Sequence, residues 1–138
     1  VEISKHINCV FPMHPRTKNN LIKFKVYKNY KNIESLKIIE PLGYIDFMCL
    51  QKNSKLVITD SGGIQEESSF FNVPCLTLRD NTERPITCIQ GTNELVGTDL
   101  NKLIKKINTI DLNKKTNIEL WDGNASSRIV KIMKRILK

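Results

Sequence analysis

Between Val57 and Glu67 the sequence reads V-I-T-D-S-G-G-I-Q-E-E. A short apolar, β-prone run ends at Thr59, and Asp60-Ser61-Gly62-Gly63 then leads into a stretch with helical spacing. Gly62 and Gly63 carry no Cβ, so the chain can bend tightly there and a ligand can come close to the backbone. The first amides of a helix have no internal acceptor and point outward. Together with the helix dipole they favour an anion such as a phosphate or diphosphate, and the Ser61 hydroxyl can add a donor. Two carboxylates follow, Glu66 and Glu67. Either could complement the helix dipole, a contribution of about 0.3–1 kcal/mol. Either could instead accept the two hydroxyls of a ribose, as acidic residues do in dinucleotide sites. Spacing alone does not separate the two roles.

A second polar cluster, Arg79-Asp80-Asn81-Thr82-Glu83-Arg84-Pro85, follows the next apolar run. Its two arginines could bind phosphate or sugar. They could equally close a salt-bridged surface loop. The four cysteines, Cys9, Cys49, Cys75 and Cys88, are far apart, with no C-x-x-C pair and no zinc spacing. Cys9, Cys49 and Cys75 lie in apolar runs, where a thiol behaves as a small buried hydrophobe, and all four are expected to be reduced.

The elements that must position these groups alternate between strand and helix patterns. Strands are expected at Ile7–Phe11, Leu36–Ile39, Lys55–Thr59, Cys75–Leu78 and, more weakly, Asn93–Val96. Helices are expected from Thr17 to about Tyr27, Tyr44–Gln51, Ile64–Phe71, Pro85–Gln90, Leu100 to about Ile107 with Asp99 as cap, and Ala125–Leu137. The last has Ile129, Ile132, Met133 and Ile136 on one stripe, and the polar segment Asp111–Asn124 connects to it. Such alternation predicts an α/β fold with a mostly parallel sheet flanked by helices. Ligands of open sheets of this kind bind beyond the carboxyl ends of the strands, where both polar clusters fall.

The length of 138 residues fits one domain, with an ordinary globular balance of 40% hydrophobic and 26% charged residues. No apolar run approaches the roughly 20 residues of a membrane span. The first residues lack the pattern of a signal peptide, and the chain starts at Val1 without an initiator Met, which suggests a piece of a longer protein. Lys and Arg number 22 against 14 Asp and Glu, a net charge of +8. The lysines are dispersed, and the densest run, Lys18 to Lys37, holds no nucleic-acid motif. The charge is therefore read as solvated surface, with no nucleic-acid partner.

T-D-S-G-G-I-Q-E-E, P-C-L-T-L-R-D-N-T-E-R-P and G-T-N-E-L-V-G together resemble the UDP-N-acetylglucosamine 2-epimerases of the non-hydrolysing bacterial and archaeal type. F-P-M-H-P-R-T (Phe11 to Thr17), P-L-G-Y-I-D-F (Pro41 to Phe47) and D-G-N-A-S-S-R-I (Asp122 to Ile129) extend the resemblance over nearly the whole chain. The family fold is a pair of Rossmann-like domains facing across a cleft, the GT-B arrangement of two-domain glycosyltransferases. The resemblance makes residues 1–138 a single UDP-binding domain, the second of the two, with 125–138 as its closing helix.

The resemblance places Ser61, Gly62 and Gly63 at the diphosphate, Glu67 at the ribose, Phe47 beside the uracil and Arg84 at the nucleotide and phosphate site. His14 matches a histidine near the cleft, although backbone neighbours at a strand end could also account for it. Leu42 stands where other members carry Gln.

The family reaction removes the proton at C2 of the sugar and eliminates UDP, leaving a 2-acetamidoglucal. UDP then adds back and the proton returns on the other face, so that UDP-GlcNAc and UDP-ManNAc interconvert. The acid/base groups this needs belong to the first domain and to a G-H-R-x-E segment, neither of which occurs in these 138 residues. No catalytic residue, metal or cofactor is therefore assigned here, and the isolated chain is expected to be inactive. The hydrolysing epimerases, which release ManNAc and UDP, and a non-catalytic UDP-sugar-binding module are the alternatives. The resemblance further implies a cytoplasmic enzyme of polysaccharide biosynthesis, a homodimer when complete, without a membrane partner.

Overall fold

The structure, a computed structural model, describes residues 1–30 and 33–137. The chain divides into two compact units, Val1–Phe47 and Met48–Lys138. All strand pairings among the described residues are parallel, and helices follow the strands, so the α/β architecture expected from the alternating pattern is present.

In the first unit β1 (Cys9–Pro12) pairs with β2 (Leu36–Ile39), in register from Cys9 opposite Leu36 to Pro12 opposite Ile39. The Met13 amide extends the ladder by donating to the Ile39 carbonyl at 3.0 Å, and Met13 is buried. Pro12 ends β1 and Pro15 opens α1 (Pro15–Lys23), where its missing N–H costs nothing. The helix therefore starts two residues earlier than periodicity suggests. It stops at Lys23, where the chain turns through Lys25 at φ +58°. The run Lys18 to Lys37 includes residues 31–32, which lie outside the described residues.

The boundary between the units falls within α2 (Tyr44–Lys52). The second unit is built on β3 (Val57–Thr59), β4 (Cys75–Thr77) and β5 (Asn93–Leu95), with β4 central. Val57 stands opposite Cys75, and Cys75 opposite Asn93. Burial on both faces explains why β4 and its flanks read as an unbroken apolar run: Cys75 and Leu76 are wholly buried, with Val73, Val96 and Leu103 close to it.

Against this sheet pack α3 (Gly62–Phe70) and α4 (Pro85–Ile89), and α5 (Leu100–Thr109) and α6 (Ala125–Ile136) follow in the chain. Asp99 caps α5 as expected, accepting from the amides of Asn101 at 2.8 Å and Lys102 at 3.1 Å. The polar segment before α6 is anchored rather than loose. The Thr116 amide donates to Asn72 Oδ1 at 2.7 Å, and the Asn117 amide to the Gln90 carbonyl at 2.9 Å.

Two expectations change. Of the cysteines placed in buried runs, Cys75 is buried, Cys9 only partly so, and Cys49 is exposed, because it falls on the outer side of α2. The stripe of α6 is present, but Ile129, Ile132, Met133 and Ile136 are 48–72% exposed. The final residue of the expected closing helix, Lys138, lies outside the described residues.

Candidate phosphate and ribose site

The turn after β3 is set by a local hydrogen bond, from the Ser61 amide to Thr59 Oγ1 at 3.0 Å. Ser61 is the N-cap of α3, yet its hydroxyl makes no capping bond. The first intrahelical acceptor is the Ser61 carbonyl, reached by the Gln65 amide at 3.3 Å. The amides of Gly62, Gly63 and Ile64 therefore precede the helical ladder, and the Ser61 hydroxyl stands beside them. The helix begins at Gly62 rather than Ile64, which moves Glu66 and Glu67 into its second turn. That weakens dipole complementation as an account of either carboxylate, since the effect fades beyond the first turn.

The two glutamates have different partners. Glu66 Oε1 lies 3.0 Å from Arg84 Nε. The carboxylate sits off the N–H direction, so the contact is an ion pair without a hydrogen bond. Glu67 Oε2 instead accepts from Gln51 Nε2 at 2.6 Å. Gln51 is 3% exposed, and its own Oε1 receives the Ser68 hydroxyl at 3.5 Å. One carboxylate on α3 is thus held by a cation and the next by a neutral amide.

Arg84 reaches α3 through its backbone as well. Its amide donates to Thr82 Oγ1 at 2.9 Å, and the Thr82 hydroxyl donates to Gln65 Oε1 at 2.6 Å. Gln65 is wholly buried in α3, and Asn93 Nδ2 donates to the same oxygen at 3.2 Å. Asn93 Oδ1 in turn accepts from the Thr77 hydroxyl at 2.6 Å. A buried polar network therefore ties the loop at 82–84 to α3, β4 and β5. Gln65 Nε2 is buried without a hydrogen-bond partner among the described residues.

The loop also carries the internal pair that a surface reading expects, Arg79 Nη1 to Glu83 Oε2 at 3.0 Å. Its own backbone N–H, and then the charges of Arg79 and Arg84, hold the Glu83 carboxyl below its ordinary pKa. A Cβ on Gly62 would stand 2.6 Å from Glu83 Oε1, so the Glu83 carboxylate lies close over the start of α3 and would have to swing aside for a larger residue there. Gly63 has no atom within 4 Å of its Cβ direction. Gly97, at φ +65°, takes a backbone conformation that side chains disfavour, and Asp80 Oδ1 fills the space a Cβ would need.

The second unit thus brings together Ser61, Gly62, Gly63, Glu67 and Arg84. Sequence reasoning did not single out Gln51, Gln65, Thr82 or Asn93. The signal for Gln51 was a polar residue within an otherwise apolar helix face; for Asn93 it was a buried-strand position. Phe47 and His14 belong to the first unit. Phe47 is partly buried in α2, and His14 is exposed and caps α1, its Nδ1 accepting from the Arg16 amide at 3.2 Å. Among the described residues no three His, Cys, Asp or Glu side chains gather as a metal-binding group, and no helix is long and apolar enough to cross a membrane.

The family described as UDP-N-acetylglucosamine 2-epimerase matches residues 1–134. The UDP-N-acetylglucosamine 2-epimerase of Methanocaldococcus jannaschii is 51% identical over 126 residues, covering 90% of this chain and 34% of that protein. The epimerase of Methanococcus maripaludis is 44% identical, covering 91% and 35%. A crystal structure of the M. jannaschii enzyme in complex with UDP-GlcNAc and UDP superposes with a TM-score of 0.82 at 46% identity, over 97% of this chain and 37% of that one. The Neisseria meningitidis epimerase bound to UDP-GlcNAc superposes with a TM-score of 0.76 at 30% identity, over 91% and 35%. The chain spans about a third of the length of the curated relatives it matches.

Proposed function

The chain belongs to the UDP-N-acetylglucosamine 2-epimerase family, and we propose that it grips the UDP half of the substrate in an enzyme that interconverts UDP-GlcNAc and UDP-ManNAc. The observation that carries this reading is the start of α3. Three amides ahead of the helical ladder and the Ser61 hydroxyl stand there, and the Thr82–Gln65 tie holds the loop that carries Arg84 against the same helix. Amides and dipole suit a diphosphate, and a guanidinium adds paired donors of matching geometry.

Glu67 is the ribose acceptor in this proposal. A carboxylate held by a neutral amide keeps its charge for a hydroxyl, whereas Glu66 is already engaged by Arg84. Phe47 takes the place beside the uracil and His14 a binding role, as their motifs suggest. UDP serves as leaving group and returning nucleophile, so holding it through both steps keeps the glucal and UDP together. The acid/base groups that move the C2 proton are proposed to lie outside these 138 residues, and the complete enzyme is proposed to be a cytoplasmic dimer. No metal or cofactor is invoked.

Calorimetric titration with UDP is the test. The chain should bind UDP, and Gly62→Val should weaken it strongly by blocking the approach to the backbone. Glu67→Gln should cost about 1–3 kcal/mol, the range for a charged hydrogen bond, while Glu66→Gln should change affinity by less than about 1 kcal/mol. Solvent deuterium should not enter C2 of UDP-GlcNAc in the presence of the chain alone. Unchanged UDP binding by Gly62→Val would sink the diphosphate assignment. Exchange at C2 would place a base within the chain.

A further inference from the structure

We infer that Gln51 is a positioning residue that orients the Glu67 carboxylate toward the ribose, and thereby determines how strongly the chain prefers a nucleotide with ribose hydroxyls. This inference rests on the assignment of Glu67 to the ribose. Gln51 Nε2 donates to Glu67 Oε2 at 2.6 Å across 16 residues of sequence, from a side chain that is 3% exposed. Its other end is occupied too, since Gln51 Oε1 takes the Ser68 hydroxyl at 3.5 Å and Nε2 also contacts Met48 Sδ at 3.8 Å. With both ends engaged the amide cannot rotate without losing a partner. Among the described residues no hydrogen bond reaches Glu67 Oε1.

The chemistry of the partner matters. A carboxylate that accepts two vicinal hydroxyls must present its plane in one orientation, and Glu has three rotatable bonds to order before it can do so. A single buried donor on Oε2 removes most of that freedom before the ligand arrives. An Arg or Lys in the place of Gln51 would also orient the group. It would draw the negative charge toward itself, as Arg84 does with Glu66, and leave a weaker acceptor for the ligand. A neutral amide fixes direction and leaves the charge.

The test compares affinities for UDP and for 2′,3′-dideoxy-UDP in the wild-type chain, Gln51→Met and Ser68→Ala. The ratio of the two affinities is unaffected by the fraction of chain that is folded, because misfolding lowers both equally. The wild type should prefer UDP. Gln51→Met should lower that preference about tenfold, the equivalent of losing one oriented charge-assisted hydrogen bond, while dideoxy-UDP affinity per folded molecule stays the same. Ser68→Ala, which frees the far end of the amide, should lower it in the same direction by a smaller factor. Added to Glu67→Gln, Gln51→Met should change the ratio no further. A preference undiminished in Gln51→Met would overturn the inference while leaving the ribose assignment intact. A wild-type chain with no preference for UDP would remove the ribose assignment and the inference together.

Discussion

The Thr82 hydroxyl donates to Gln65 Oε1 at 2.6 Å while accepting the Arg84 amide at 2.9 Å. One side chain therefore joins the loop that carries Arg84 to the helix whose first amides face the proposed diphosphate. Replacing Thr82 by Val keeps the shape and removes the hydroxyl. The Arg84 amide then loses its acceptor, and Gln65 Oε1 keeps only Asn93. Urea denaturation should show a loss of about 1–3 kcal/mol for Thr82→Val, the cost of leaving a partly buried donor unpaired, and Thr82→Ser should recover most of it. Equal stability of Thr82→Val and the parent would mean that the relay contributes nothing.

Gly91 packs between α3 and α4. A Cβ there would meet the Thr87 carbonyl oxygen at 2.5 Å, Ser69 Oγ at 2.6 Å and Thr87 Cα at 2.9 Å. Two of these are backbone atoms, which cannot swing aside. Gly91→Ala should destabilise the chain by about 1–3 kcal/mol, as overpacking does. Gly63→Ala meets no atom within 4 Å and should lie within about 1 kcal/mol of the parent, on the stabilising side, because Ala favours a helix over Gly. Thermal unfolding of the two variants measures the contrast, and similar midpoints would contradict the packing argument.

The start of α6 should respond to acid. Asp122 accepts two contacts from Arg128 Nη1, at 3.0 and 2.8 Å, and the Asn124 amide at 3.0 Å, while Arg128 Nη2 donates to the Leu120 carbonyl at 2.9 Å. The Arg128 hydrogen bond foremost, and then the Asn124 amide, hold the Asp122 carboxyl well below the usual carboxylate range. A depressed folded-state pKa means a stabilising contribution that is complete above the unfolded value of about 4. It is lost as pH falls below that value toward the folded one. Helicity followed by circular dichroism from pH 6 to pH 2 should therefore fall more steeply in the wild type than in Asp122→Asn, which has no charge to lose. Parallel acid curves would show that the pair does not hold the helix.

Thiol labelling at pH 8 checks the packing of the sheet. Burial pushes the Cys75 thiol up to about 11, so it stays protonated and unreactive, whereas the exposed Cys49 should be modified first. Mass spectrometry of partly labelled chain reads the order directly, and early modification of Cys75 would contradict a closed central strand.

What the sequence by itself determined is local. Leu36–Ile39 forms the strand expected of it, with the expected ends, because β-branched residues run up to a stop at Glu40-Pro41. Asp99 caps α5 because its side chain needs only amides two and three residues ahead. The turn after Thr59 closes on a bond between residues two apart, from the Ser61 amide to Thr59 Oγ1, and the motifs around it named the family. The tertiary structure decided what depends on elements far apart in the chain. Spacing left Glu66 and Glu67 equivalent. Their difference arises because α2 brings Gln51 to one and the loop at 82–84 brings Arg84 to the other, across 16 and 18 residues. Gln65, Thr82 and Asn93 are ordinary polar residues in isolation. They become one network only when α3 packs beside β4 and β5, since a buried polar group must find its partner among whatever the fold places next to it. The need for glycine at position 91 has both origins: the Thr87 backbone, four residues back in α4, crowds the Cβ position locally, and Ser69 of α3 crowds it from 22 residues away.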